Sequence, residues 1–150
     1  MKRLRHKKYA GLTLLGDSQA TFPDLPQHAK LETFPNPFQE RDYTIRIDSQ
    51  EFTSLCPVTG QPDFAEIFIE YVPDRRCVET KSLKLYLSSY RNVRSFNEEV
   101  INRIVDDLVG ACQPRRMRVE GKFVSRGGLS LSIAVEHPSP CNKPEPLKAP

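Results

Sequence analysis

The apolar residues of this chain change period twice, and that order limits the fold more than any other feature. Tyr43, Ile45 and Ile47 alternate with Thr44, Arg46 and Asp48, which predicts a strand over residues 41–52. Residues 53–62 carry Pro57, Gly60 and Pro62 and read as a loop. Alternation resumes over 64–72, with Ala65, Ile67, Ile69 and Tyr71 on one face and Glu66, Phe68 and Glu70 on the other. The period then lengthens. Leu83, Tyr86, Leu87 and Tyr90 make a helical stripe over 81–90. A second helix starts at Ser95, with Val100, Ile101, Ile104, Val105, Leu108 and Val109 on its apolar face and Gly110 and Pro114 bracketing its end. Period two returns at Met117, Val119, Gly121 and Phe123, and again at Leu129, Leu131, Ile133 and Val135. Arg126-Gly127-Gly128 is the turn between them.

The order ββααββ predicts an α+β subunit, an antiparallel four-stranded sheet with two helices on one face. Such a sheet has two open edges, and closing a barrel with copies of itself removes them. At 150 residues the chain is one domain. The pattern places it at 41–136, after an arm over 1–40 broken by Pro23, Pro26, Pro35 and Pro37. Within the arm, residues 31–36 can wrap a neighbour. Residues 137–150 form a tail, with five prolines from Pro138 onward, that composition predicts to be disordered.

A net charge of +3 is too mild for a nucleic-acid binder but suits an anionic ligand such as a phosphate. No apolar run is long enough to span a membrane. The basic start, Met1 to Lys8, is followed by no adequate apolar region, so a cytoplasmic location is expected. Cys56, Cys77, Cys112 and Cys141 form no C-x-x-C pair, and His6, His28 and His137 stand at no ligand spacing from them; no metal is expected.

Several residues can carry chemistry, each beside a plainer reading. Cys56 lies in a turn-rich loop seven residues before Asp63. A cysteine that merely packs is the common case, but this loop belongs at the surface, and an activated thiol with a proton relay is a nucleophile. Lys81 and Lys84, with Arg91 and Arg94 beyond, are either a solvated helix face or a phosphate dock. Arg126-Gly127-Gly128 is a hairpin turn or a second phosphate contact. Ser95-Phe96-Asn97-Glu98 matches a capping box, with Glu98 returning to the Ser95 amide. In the alternative, Glu98 accepts two donors from a guanine-like ring on which Phe96 stacks. No G-x-G-x-x-G or Walker loop is present, so a nucleotide cofactor would bind without a Rossmann unit.

Glu79-Thr80-Lys81-Ser82-Leu83-Lys84-Leu85-Tyr86 resembles the signature of the NADPH-dependent 7-cyano-7-deazaguanine reductases, the nitrile reductases of queuosine biosynthesis. Phe52-Thr-Ser-Leu-Cys56-Pro-Val-Thr-Gly-Gln-Pro-Asp63-Phe64 is similar to the nucleophile loop of that family. Gly11-Leu-Thr-Leu-Leu-Gly16, Phe34-Pro-Asn, Ser89-Tyr-Arg-Asn92 and Gly121-Lys-Phe also resemble it. The likeness runs from about residue 11 to 132, with the motifs in the family's order. Two positions depart: Thr80 stands where Ser or Leu is usual, and Asn97 where the family often reads Phe-His-Glu.

The resemblance implies the tunnelling fold, with ββααββ subunits joined into barrels and sites between subunits. For the short branch it implies a homodecamer of two stacked pentamers. It implies a four-electron reduction of a nitrile to an amine. Cys56 would form a covalent thioimide, Asp63 would supply protons, and NADPH would supply hydride. Val78, Glu79, Thr80, Phe96, Asn97 and Glu98 would hold the deazaguanine. Lys81, Ser82, Lys84, Arg126 and Gly127 would hold NADPH. Three readings compete. The archaeal relative that adds ammonia to a nitrile on tRNA lacks the NADPH signature. A zinc-dependent cyclohydrolase of the same fold needs histidines missing here. The third is a non-catalytic ring-forming binding module.

Overall fold

A computed structural model describes residues 12–14 and 21–139. The expected tail lies almost wholly outside the described residues, as do the basic start and Cys141. Among the described residues no helix is long and apolar enough to cross a membrane.

Four long strands make one antiparallel sheet in the order β2-β3-β5-β6, after a short β1 (Thr33–Pro35). They are β2 (Ile45–Leu55), β3 (Pro62–Val72), β5 (Arg116–Arg126) and β6 (Leu129–His137). Between β3 and β5 the chain makes β4 (Arg76–Val78), α1 (Thr80–Ser88), a 3-10 turn (Ser89–Asn92) and α2 (Asn97–Cys112). β1 and β4 pair as a separate antiparallel ribbon, with Phe34 opposite Cys77. Three-residue strands carry too few residues for a period, so the alternation gave no sign of this ribbon.

The sequence pattern predicts the sheet's buried face correctly in β3 and β5. Ala65, Ile67, Ile69 and Tyr71 are buried, as are Met117, Val119, Gly121 and Phe123. In β2 the pattern holds for Ile45 and Ile47, which pack against the core, and then shifts. A bulge between Ser49 and Phe52 sets Phe52, not Glu51, opposite Ala65. One extra residue reverses the faces beyond it, so Phe52 joins the core and Glu51 stays in solvent.

The α2 stripe of Val100, Ile101, Ile104, Val105 and Leu108 is buried. The helix lies so close to the sheet that a Cβ on Gly121 would stand 2.5 Å from Ile101 Cδ1. Two helix ends differ from the expectation. α1 stops at Ser88, where the Ser88 and Ser89 hydroxyls bond the Leu85 and Tyr86 carbonyls and compete with the helical ladder. α2 continues through Gly110 to Cys112, and Gln113 takes the left-handed cap at φ 46°, its N–H donating to Val109 O.

Candidate active site

β2 ends at Leu55 and β3 begins at Pro62, so the intervening loop stands at one end of the sheet. Its closure is local. The Cys56 amide donates to Gln61 O and the Gly60 amide to Cys56 O, both at 2.9 Å. Gly60 supplies the left-handed residue, φ 69°, that this turn needs. Cys56 is partly exposed. Its thiol is lowered from 9.0 to about 7, first by the Thr59 hydroxyl, then by the Thr59 and Val58 amides; burial and the Asp63 charge oppose the shift. Donors that favour the anion make a nucleophile available near neutral pH. The other described cysteines, Cys77 and Cys112, are buried, and burial pushes Cys112 up to about 12.

Asp63, paired in register with the buried Ser54, is 12% exposed at its side chain. Arg126 reaches it from the end of β5. Its Nη2 lies 2.9 Å from Asp63 Oδ1 and donates to Pro62 O at 2.5 Å. Gly127 and Gly128 follow with φ 54° and 81°, the turn that closes β5 onto β6.

Arg94 sits against the other side of the loop. The Leu55 amide donates to Val93 O and the Ser95 amide to Leu55 O, a parallel bridge that ties the start of α2 to the Cys56 loop. Phe96, 62% exposed, follows directly, then Asn97 and Glu98. The expected capping box does not form. Ser95 Oγ bonds the Glu99 carboxylate at 2.6 Å, and α2 starts after Phe96 with no side-chain cap. Among the described residues no donor reaches the Glu98 carboxylate, which is exposed. Among the described residues the buried Asn97 Oδ1 has no hydrogen-bond partner.

The remaining expected residues gather elsewhere, at the N-terminus of α1. Glu79, 4% exposed, caps the helix: its two oxygens accept from the Lys81 and Ser82 amides at 2.8 Å. The Ser82 hydroxyl bonds Glu79 O, the Val78 amide donates to Tyr71 OH, and Lys81 Nζ donates to Leu14 O. Thr80 and Lys84 are exposed and line a groove of about 390 Å³ between α1 and the bulged part of β2.

A feature that sequence reasoning missed underlies this cluster. Glu32, from the proline-broken arm, is buried and accepts from Thr13, the Leu14 amide and Lys30. Its own carbonyl accepts from the Glu79 amide at 2.8 Å. Burial pushes the Glu32 carboxyl up, but these donors outweigh it and hold it down at about 2. No periodic pattern surrounds Glu32, so nothing in the sequence marked it as interior.

The expected residues therefore fall into two groups. Cys56, Asp63, Arg126 and the 96–98 segment meet at one end. Residues 78–84 stand at the N-terminal end of α1, whose nine residues rise roughly 13 Å before the 3-10 turn that leads toward α2. Among the described residues, no three His, Cys, Asp or Glu side chains gather in a way that could hold a metal ion.

A family model described as QueF-like protein matches residues 62–142. The NADPH-dependent 7-cyano-7-deazaguanine reductase of Nitrosospira multiformis is 58% identical over 107 residues, 71% of this chain and 77% of that protein. The protein of the same name from Streptococcus mutans is 49% identical over 138 residues, 92% of this chain and 85% of its own length. Among solved structures, an archaeosine synthase QueF-Like in the apo form superposes with a TM-score of 0.59 over 62% of this chain and 91% of that one. At 22% identity that likeness shows the fold, the tunnelling architecture, and nothing of the chemistry.

Proposed function

The chain belongs to the QueF-like family of NADPH-dependent 7-cyano-7-deazaguanine reductases, and we propose that it reduces the nitrile of 7-cyano-7-deazaguanine to the aminomethyl group, with Cys56 as nucleophile. The observation that carries the reading is the Cys56 loop. The Thr59 hydroxyl and the Thr59 and Val58 amides favour the thiolate, and a carboxylate on the next strand is within electrostatic reach.

The Cys56 thiolate adds to the nitrile carbon, forming one C–S bond and moving an electron pair to nitrogen. A proton on that nitrogen completes a thioimide. Asp63 stands to pass protons at this centre, with Arg126 holding its outer oxygen. Expulsion of the thiolate after the first reduction leaves an imine, and a second reduction gives the amine. NADPH, used twice, supplies the hydrides, four electrons in all. Covalent attachment divides a difficult reduction into easier steps.

The residues present fit a polyanionic cofactor. Lys84 is exposed on the groove rim beside Thr80, Arg126 leaves 42% of its side chain in solvent, and open space surrounds Gly127. Lys81, half-buried at the helix N-terminus, joins that set, whereas Ser82 is fully buried with its hydroxyl engaged by Glu79 O and fixes the start of the helix. The deazaguanine ring is held by stacking on Phe96, by the unengaged Glu98 carboxylate, and by Asn97, whose buried oxygen awaits a donor. Val78, Glu79 and Thr80 contribute backbone and shape, because the Glu79 carboxylate is already spent on the helix cap.

Since residues 78–84 lie apart from Cys56 in one chain, the complete site is formed between copies. β2 and β6 are open edges, and Leu129 at the tip of β6 is 80% exposed. Edge-to-edge pairing into a ring, two pentamers stacked as a decamer in the cytoplasm, satisfies both. No nucleic acid takes part directly.

The test is absorbance at the NADPH band with 7-cyano-7-deazaguanine, for the native chain and Cys56→Ala. Two NADPH consumed per nitrile, and none in the variant, is expected. A stable adduct at Cys56 with no NADPH consumed overturns the reductase reading in favour of an amidine-forming one.

A further inference from the structure

We propose that Arg126 is a positioning residue for the nucleophile: by pairing with Asp63 it offsets that carboxylate's charge beside Cys56, and so sets how readily the Cys56 thiol ionises. This gives Arg126 a task before any cofactor arrives. It rests on the reading of Cys56 as nucleophile.

The geometry is specific. One guanidinium nitrogen spans the first two residues of β3, bonding Pro62 O at 2.5 Å and Asp63 Oδ1 at 2.9 Å. The β5–β6 register slips between Phe123 and Arg126, so Arg126 leaves the regular ladder just before the Gly127-Gly128 turn. On the other side, the Cys56 amide bonds Gln61 O, which keeps the thiol's backbone beside the start of β3. Cys56 and Asp63 are thus held at the two ends of one closed loop.

The charges around the thiol come from three elements. Asp63 on β3 opposes ionisation of Cys56. Arg126 on β5 pairs with Asp63. From the segment entering α2, Arg94 packs its guanidinium against Gly60, while the first turn of α2 carries Glu98 and Glu99, the latter turned to Ser95. Among the described residues Asp63 has no other ion-pair partner, so removing Arg126 leaves its full charge acting on the sulfur.

The experiment follows iodoacetamide alkylation of Cys56 against pH in the intact protein, without NADPH or nitrile. The variants are Arg126→Gln, Arg126→Lys, Asp63→Asn and the Asp63→Asn/Arg126→Gln pair. Arg126→Gln is expected to raise the midpoint by about one pH unit, a scale set by a single nearby charge in a partly solvated site. Arg126→Lys restores most of it. Asp63→Asn lowers the midpoint, and in that background Arg126→Gln loses more than half of its effect.

An unchanged midpoint in Arg126→Gln overturns the proposal, and so does an equal rise with and without Asp63. If Arg126→Gln does not fold, as judged by circular dichroism, Asp63→Asn alone decides: a midpoint that fails to fall sinks the idea. Turnover in Cys56→Ala is a separate arm. Its survival would remove the nucleophile assignment while the alkylation profiles still judge Arg126.

Discussion

Leu55 and Arg94 lie side by side in a parallel bridge, which ties the Cys56 loop to the start of α2. The contact extends into the loop, where a Cβ on Gly60 would stand 2.8 Å from Arg94 Nη2. Gly60 also has φ 69°, where side chains are strained. Gly60→Ala is therefore expected to lower stability by about 1–2 kcal/mol from the backbone conformation alone. Arg94 can swing away, so Gly60→Ala/Arg94→Ala should recover little. Urea denaturation of the three variants measures both, and full recovery in the double variant would show that crowding, not backbone strain, sets the loss.

The Thr59 hydroxyl is the largest of the influences that together draw the Cys56 thiol down from 9.0 to about 7. Removing its hydroxyl raises the thiol, and a raised thiol holds less thiolate at neutral pH. In Thr59→Val the alkylation midpoint is expected to move upward toward the ordinary cysteine range, with slower labelling at pH 7. Thr59→Ser should stay near the native midpoint. Mass spectrometry of native protein should also find Cys77 and Cys112 unlabelled, since both are buried. A Thr59→Val profile that overlays the native one would show that the amides alone hold the thiol.

Glu32 makes the fold sensitive to acid. Its carboxyl sits at about 2 in the folded chain against 4.5 ordinarily. A depressed carboxyl contributes stability that is complete above the unfolded value and is lost as pH falls through 4.5 toward 2. The contribution is at most about 3.5 kcal/mol, one pH unit being worth about 1.4. Glu32→Gln should flatten the stability profile between pH 5 and about 2 while costing stability at pH 7. Thermal unfolding across that range reads it, and parallel profiles for the two proteins would rule the carboxyl out.

Wherever one period governs a long element, the fold was legible. β3, β5 and the α2 stripe were assigned to the correct faces because a half-buried strand and an amphipathic helix each leave a repeating mark. Period failed where structure turns on one residue. The bulge that swings Phe52 inward, the left-handed cap at Gln113 and the serine hydroxyls that end α1 are local events with no repeat. At the site, Cys56 and Asp63 were marked by the turn chemistry of their loop. Glu32 and the Arg126–Asp63 pair were not, since each depends on segments far apart in sequence meeting in space. The capping-box pattern at Ser95 shows the reverse error. A four-residue match was present, yet Glu99 rather than Glu98 took the serine and left Glu98 unengaged.

Asn97 separates stability from recognition. Its buried Oδ1 has no partner among the described residues, a cost the folded chain already bears. Deleting an unpaired buried polar atom is neutral or mildly stabilising, because no hydrogen bond is lost. If Asn97 meets the deazaguanine, the same deletion removes a contact made only with substrate bound. Asn97→Ala is then expected to keep or slightly raise the melting temperature while raising KM for the nitrile about 5- to 30-fold, the worth of one hydrogen bond of about 1–2 kcal/mol. Asn97→His, which places the family's usual residue there, should keep KM within a few-fold of native. Steady-state kinetics beside differential scanning calorimetry distinguish the cases. A falling melting temperature with unchanged KM would make Asn97 a structural residue of α2 and remove it from the substrate site.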